Sequence, residues 1–122
     1  MTHALIIDDN MIFSHSVQKR LEGIGFRSFD KTWTEAQALT AADRRNPDLI
    51  VIGDDVEEGS ALRAAQAITE KVPVPVLMVT ADPIRAKLAI EDQGTVKGPF
   101  LLNQIEEAVK QARHVSPRSL DE

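Results

Sequence analysis

The feature that most constrains this chain is a set of short runs that are apolar on both faces and stop abruptly at acid or hydroxyl. Ala4-Leu5-Ile6-Ile7 stops at Asp8-Asp9-Asn10, Leu49-Ile50-Val51-Ile52 at Gly53-Asp54-Asp55, and Val76-Leu77-Met78-Val79 at Thr80-Ala81. A strand with one wet face alternates apolar and polar residues, so runs without that alternation belong to strands covered on both sides. The stretches between them carry helical spacing. Ile12, Phe13, Val17, Leu21 and Ile24 form one stripe, punctuated by Gly23 and Gly25. Thr34 is placed to cap a helix through Ala36, Ala38 and Leu39 to about Arg45, which Pro47 ends. Ser60 to Lys71 reads as a third helix with Leu62, Ala65 and Ile68 inward, Pro83 to about Glu91 as a short fourth, and Leu101 to about His114 as the last, with Leu102, Ile105 and Val109 inward. Phe26–Phe29 is a weaker strand, and Thr95-Val96 a poor final one.

Buried strands alternating with amphipathic helices give a three-layer α/β/α domain around a five-stranded parallel sheet. Functional groups in such sheets gather at the carboxyl ends of the strands. Asp8, Asp9, Asp54, Asp55, Thr80 and Lys97 are therefore expected along one edge.

Length and charge narrow the classes of function. At 122 residues the chain holds one domain, expected over residues 1–114, with a polar, disordered tail over 115–122. The net charge of −5 opposes binding to nucleic acid or to an anionic membrane. With 0 cysteines, disulfide, thiol and zinc–thiolate chemistry are excluded. No apolar stretch approaches the roughly 20 residues that span a bilayer, and no basic segment precedes the first apolar run, so a cytoplasmic protein is expected. His3, His15 and His114 share no ligand spacing, and no Ser–His–Asp spacing, phosphate-binding glycine loop or dinucleotide fingerprint occurs.

Carboxylates and a hydroxyl at strand ends suit magnesium and a phosphoryl group. Magnesium takes oxygen ligands and keeps several waters, so one or two carboxylates suffice. A phosphoryl group needs a hydroxyl donor and a cation, for which Thr80 and Lys97 are the right types. The same residues also admit plainer roles: Asp8, Asp9 and Asn10 as caps of the first helix, Asp54 and Asp55 as a solvated turn, Thr80 as a strand end, Lys97 as a surface lysine, and Trp33 as half-buried packing.

Leu5-Ile6-Ile7-Asp8-Asp9-Asn10 resembles the opening of bacterial response-regulator receiver domains, where an acidic pair follows the first strand. Pro47-Asp48-Leu49-Ile50-Val51-Ile52 resembles their third strand, and Val76-Leu77-Met78-Val79-Thr80-Ala81 their fourth. Lys97-Gly98-Pro99-Phe100 resembles their Lys-Pro-Phe with one glycine interposed. The likeness runs to about Ala112. It implies a flavodoxin-like sheet in the order 2-1-3-4-5 and a non-enzymatic part in two-component or phosphorelay signalling. It further implies magnesium at Asp8 and Asp9, with Asp54 and Asp55 as further ligands, and Thr80 and Lys97 beside the phosphoryl group. The partner would be a histidine kinase or a downstream effector, with no nucleic acid or membrane, and the chain a monomer or weak homodimer.

The departures bear on mechanism. In the family the residue ending the third strand is the aspartate that accepts the phosphoryl group; counting from Pro47 lands on Gly53. Glu58-Gly59-Ser60-Ala61-Leu62 then fits the family's following segment without a gap, Glu57 standing for its proline. A rival register makes Asp54 the acceptor and Gly53 a one-residue bulge. The segment from Thr80 to Lys97 is short for the family, and Gly94-Thr95-Val96 leaves no switch aromatic in the last strand. Three readings stay open: a degenerate receiver acting by protein–protein contact, a working receiver phosphorylated on Asp54, and a flavodoxin-like small-ligand binder. Under the first, wild type takes no acyl phosphate, and Gly53→Asp sets a carboxylate beside Asp8, Asp9 and Thr80, which is expected to restore some labelling and to crowd like charges unless magnesium is present. The partner face would combine Ile84, Leu88 and Ile90 with Gln104, Glu107 and Gln111.

Overall fold

The computed structural model describes residues 2–54, 56–82 and 96–114. Asp55, Thr95, the helix expected over 83–91 with its Ile84, Leu88 and Ile90, and the tail from 115 lie outside the described residues. The elements run β1 (His3–Ile7), α1 (Met11–Gly23), β2 (Ser28–Thr32), α2 (Glu35–Arg44), β3 (Leu49–Ile52), α3 (Ala61–Lys71), β4 (Val76–Val79) and β5 (Val96–Phe100). A 3₁₀ turn (Leu102–Gln104) leads into α4 (Ile105–His114). Every pairing is parallel, in the order β2-β1-β3-β4-β5 expected from the resemblance.

The unbroken apolar runs are divided between two cores by the two-residue period of a strand. Leu5, Ile7, Ile50, Ile52, Val76 and Met78 point to one side, where the alanines of α2 and the Ala64, Ala65 and Ile68 of α3 cover them. Ala4, Ile6, Leu49, Val51, Leu77 and Val79 point to the other, under Val17 and Leu21 of α1 and Ile105, Ala108 and Val109 of α4. Each fully buried Leu or Ile contributes about 1.5–3 kcal/mol relative to exposure, so both faces of the sheet matter to stability.

Four local readings shift. Ile12 is 83% exposed, not inward. The stripe of α1 runs through Ser14, Val17 and Leu21, and Ile12, two residues before Ser14, lies about 200° round the helix. β2 begins after Phe26, which is buried at the end of α1 with its amide on Leu21 O, and continues into polar Asp30 and Lys31. An edge strand tolerates such residues because the helices cover its faces only in part. In α3 the inward set is Ala61, Ala64, Ala65 and Ile68, with Leu62 packed at the margin. β5 extends through Phe100 by absorbing Gly98: the β4–β5 register shifts between Leu77 and Val79, and Gly98 has φ +128°. A Cβ there would stand 2.8 Å from Met78 O, so this bulge requires glycine.

The caps are side chains the chain supplies locally. Asn10, Thr34 and Ser60 each accept the amide three residues on, at 3.0–3.1 Å. Beyond β3 the chain is fastened sideways to the start of α2. Glu57 N donates to Trp33 O at 2.8 Å and Glu35 N to Glu58 O at 3.0 Å. The Glu35 carboxylate accepts Ser60 N at 3.0 Å and holds Arg63 through Nε and Nη2. The Arg63 hydrogen bond, then Ser60 N, lowers the Glu35 pKa from its ordinary 4.5. A folded value below the unfolded one adds stability above the unfolded value, and that stability is lost as pH falls through the folded value. Acid titration of thermal stability is therefore expected to show a smaller decline below about pH 4.5 in Glu35→Gln than in wild type. Identical acid limbs in the two proteins would remove this clip from the account.

Candidate functional site

The carboxyl ends of β1, β3 and β4 converge as parallel neighbours, which sets Asp8, Gly53 and Thr80 side by side. Gly53 directly follows β3 and donates its amide to Ile7 O at 2.9 Å. Asp8 directly follows β1, and its amide donates to Thr32 O at 3.0 Å. Its side chain is 5% exposed, and Oδ1 accepts Asn10 N at 3.0 Å. The other oxygen lies over Gly53: a Cβ built on Gly53 would stand 2.0 Å from Asp8 Oδ2 and 2.8 Å from Asp8 Cβ. The first distance would require Asp8 to leave its rotamer, and the second, to an atom that no rotation moves, would require the backbone of β1 or β3 to shift. The capping role weighed for this segment holds for Asn10, and Asp8 supports it by taking the Asn10 amide.

Thr80 is 1% exposed. Its hydroxyl donates to Asp54 Oδ1 and accepts Asp82 N at 2.9 Å, and its amide donates to Phe100 O at 2.9 Å. Asp54 itself is exposed, so its carboxylate reaches inward from the rim. A cleft of about 220 Å³ beside Gly53 and Asp54 is walled by Val56, Gly59, Ser60 and Met78. Asp9 and Lys97 are both exposed, and the Lys97 ammonium makes no hydrogen bond or ion pair among the described residues. The structure thus brings together Asp8 with Gly53 and Asp54 with Thr80, and leaves Asp9 and Lys97 on the surface. Among the described residues no three Asp, Glu or His side chains converge in a way that would hold a metal ion.

A cluster that spacing did not reveal lies at the opposite edge. His3 is 3% exposed; Nδ1 meets Ser28 Oγ at 2.8 Å and Nε2 meets Asp30 Oδ2 at 2.9 Å. The parallel register sets His3 against Ser28, and Asp30 lies two residues on, on the same face. The order of bonds is that of nucleophile, base and orienting acid, but a buried imidazole presents no face to a substrate. The cluster joins β2 to β1, and Asp48 Oδ2 accepts the His3 amide at 2.8 Å from the start of β3. Among the described residues the exposed large apolar side chains lie elsewhere: Met11, Ile12, Trp33 and Leu101 all follow the carboxyl ends of strands.

No family model matches the chain. It is 27% identical over 127 residues to the KDP operon transcriptional regulatory protein KdpE of Escherichia coli, covering 99% of this chain and 56% of KdpE. It superimposes on the receiver domain of the PhyR response regulator of Erythrobacter litoralis with a TM-score of 0.79 and 24% identity, covering 95% of this chain and 92% of that one. The receiver domain of NtrX from Brucella abortus gives a TM-score of 0.75 at 20% identity, over 93% and 99% of the two chains. Among the described residues no helix is long and apolar enough to cross a membrane.

Proposed function

We propose that this chain, whose fold is that of the response-regulator receiver domains, is a degenerate receiver that signals by protein–protein contact and takes no phosphoryl group at residue 53. One observation carries the reading: the position after β3 is a glycine, and the Asp8 carboxylate covers it. Phosphoryl transfer of this kind needs a carboxylate nucleophile, and glycine offers none. Lys97, standing free of Asp8, Asp9 and Asp54, supports the same reading, since a phosphoryl site needs a cation against its charge. The exposed Gln104, Glu107 and Gln111 are available to a partner, a histidine kinase or a downstream effector. The charge of −5 argues against nucleic acid as that partner. The chain spans 56% of KdpE, so the transcriptional role in that protein's name does not carry over with the shared part.

Asp8 and Asp9 are the carboxylates proposed to hold a magnesium ion; among the described residues Asp54 is the further candidate, and one of its oxygens accepts the Thr80 hydroxyl. Two carboxylates and waters make a weak site, which the absence of a third converging acid among the described residues supports. A bound ion would screen the repulsion between the two acids.

Intact mass after incubation with magnesium and acetyl phosphate tests the proposal. No acyl-phosphate adduct is expected, and affinity for a partner captured from native lysate should not change with the phosphodonor. An adduct mapped to Asp54 would instead establish a working receiver. Affinity rising about tenfold, roughly 1.4 kcal/mol of coupling, would likewise show a live switch.

A further inference from the structure

The Thr80 hydroxyl has one proton to give, and Asp54 receives it. Because Thr80 is 1% exposed, bulk water cannot substitute for that partner. A phosphoryl or other oxyanion arriving at this edge would need the same proton, so it would compete with the chain's own carboxylate. Hydrogen bonds to an ionised acceptor are about twice as strong as neutral ones, which favours the carboxylate already in place.

The bond also sits where it joins otherwise separate segments. Asp54 begins the connection from β3 to α3, whose far end is tied to Trp33 and Glu35 by Glu57 N, Glu58 O and Ser60 N. Thr80 ends β4 and is tied to β5 through Phe100 O and to the following turn through Asp82 N. The single Asp54–Thr80 contact therefore completes a hydrogen-bonded belt over the carboxyl ends of β2, β3, β4 and β5.

We infer that Asp54 is an internal ligand of Thr80: its carboxylate occupies the hydroxyl that an external anion would require, and it latches the β3–α3 connection to the end of β4. The edge is thereby held in one state without phosphorylation. The inference rests on the proposed function and supplies its regulation, a receiver fold fixed by its own carboxylate. Asp54 is a positioning residue here, acting through Thr80 on the connection behind it.

Amide hydrogen exchange on the full chain tests the latch. In Asp54→Ala exchange at Thr80 and Asp82, and in Thr80→Val exchange at position 80, is expected to accelerate about tenfold or more, equivalent to about 1.4 kcal/mol. Asp54→Asn keeps an oxygen acceptor and should remain within about threefold of wild type. Exchange at Ile6 and Val51 in the core should stay unchanged in all three, which separates loss of the latch from loss of the fold. At position 80 the double variant Asp54→Ala, Thr80→Val should be no faster than Thr80→Val alone, because that variant already lacks the Asp54 bond and, in addition, the acceptor of the Asp82 amide. Unaltered exchange in Asp54→Ala, or additive effects in the double variant, would overturn the latch and leave the proposed function standing. Acetyl phosphate labelling of Asp54 in the same wild-type sample would overturn the proposed function itself.

Discussion

Gly53→Asp is expected to lower stability by about 2–3 kcal/mol and to remain unlabelled by acetyl phosphate. The residue pattern alone suggests that an aspartate here adds a carboxylate beside Asp8, Asp9 and Thr80, restoring some labelling and crowding like charges unless magnesium is present. The geometry adds a steric conflict to that expectation. The new Cβ would stand 2.0 Å from Asp8 Oδ2 and 2.8 Å from Asp8 Cβ, so the Asp8 side chain must rotate away, losing the Asn10 amide, and the backbone beside it must shift. The two carboxylates would then crowd one poorly hydrated position, where like charges disfavour joint ionisation. Gly53→Ala isolates the steric part and should account for most of the loss. Pairing either substitution with Asp8→Ala should recover a measurable fraction, giving a coupling energy in a double-mutant cycle of urea denaturation. A fully stable Gly53→Asp chain that also gains acyl phosphate would mean that Asp8 does not hold this place in solution.

His3→Ala should cost about 2–4 kcal/mol by the same measurement, the larger loss of the two. Truncation empties a site that is 97% enclosed and strands the groups that the imidazole joins, Ser28 on one nitrogen and Asp30 on the other. The asymmetry between partners is part of the prediction. The Asp30 side chain is 36% exposed, so in Asp30→Ala water can enter where the carboxylate stood and meet the His3 Nε2 that loses its partner. Asp30→Ala should therefore cost about 1 kcal/mol or less, well short of His3→Ala. Equal losses in the two variants would mean that the His3–Asp30 hydrogen bond, and not the packing of the ring, dominates this junction.

The architecture was legible in particular residues. Ala4–Ile7, Leu49–Ile52 and Val76–Val79 have no polar face, and only a sheet covered on both sides satisfies such runs. Thr34 and Ser60 announced two helix starts because a cap bonds its own chain three residues away, a range that sequence spacing controls. Acids and a hydroxyl at strand ends located the edge that carries the candidate site, since parallel strands deliver their carboxyl ends together. What lay beyond the sequence was every contact between segments distant along the chain. That Ile12 faces outward depended on which stripe of α1 met the sheet. That Gly98 became a bulge depended on the β4–β5 register. Asp8 over Gly53, Asp54 on Thr80, and His3 between Ser28 and Asp30 span separations of 25 to 45 residues, and the His3 junction also crosses to Asp48. Residue types and local periodicity set which faces are apolar. Which polar groups then meet is set by strand register and packing, and those are fixed only when the whole sheet closes.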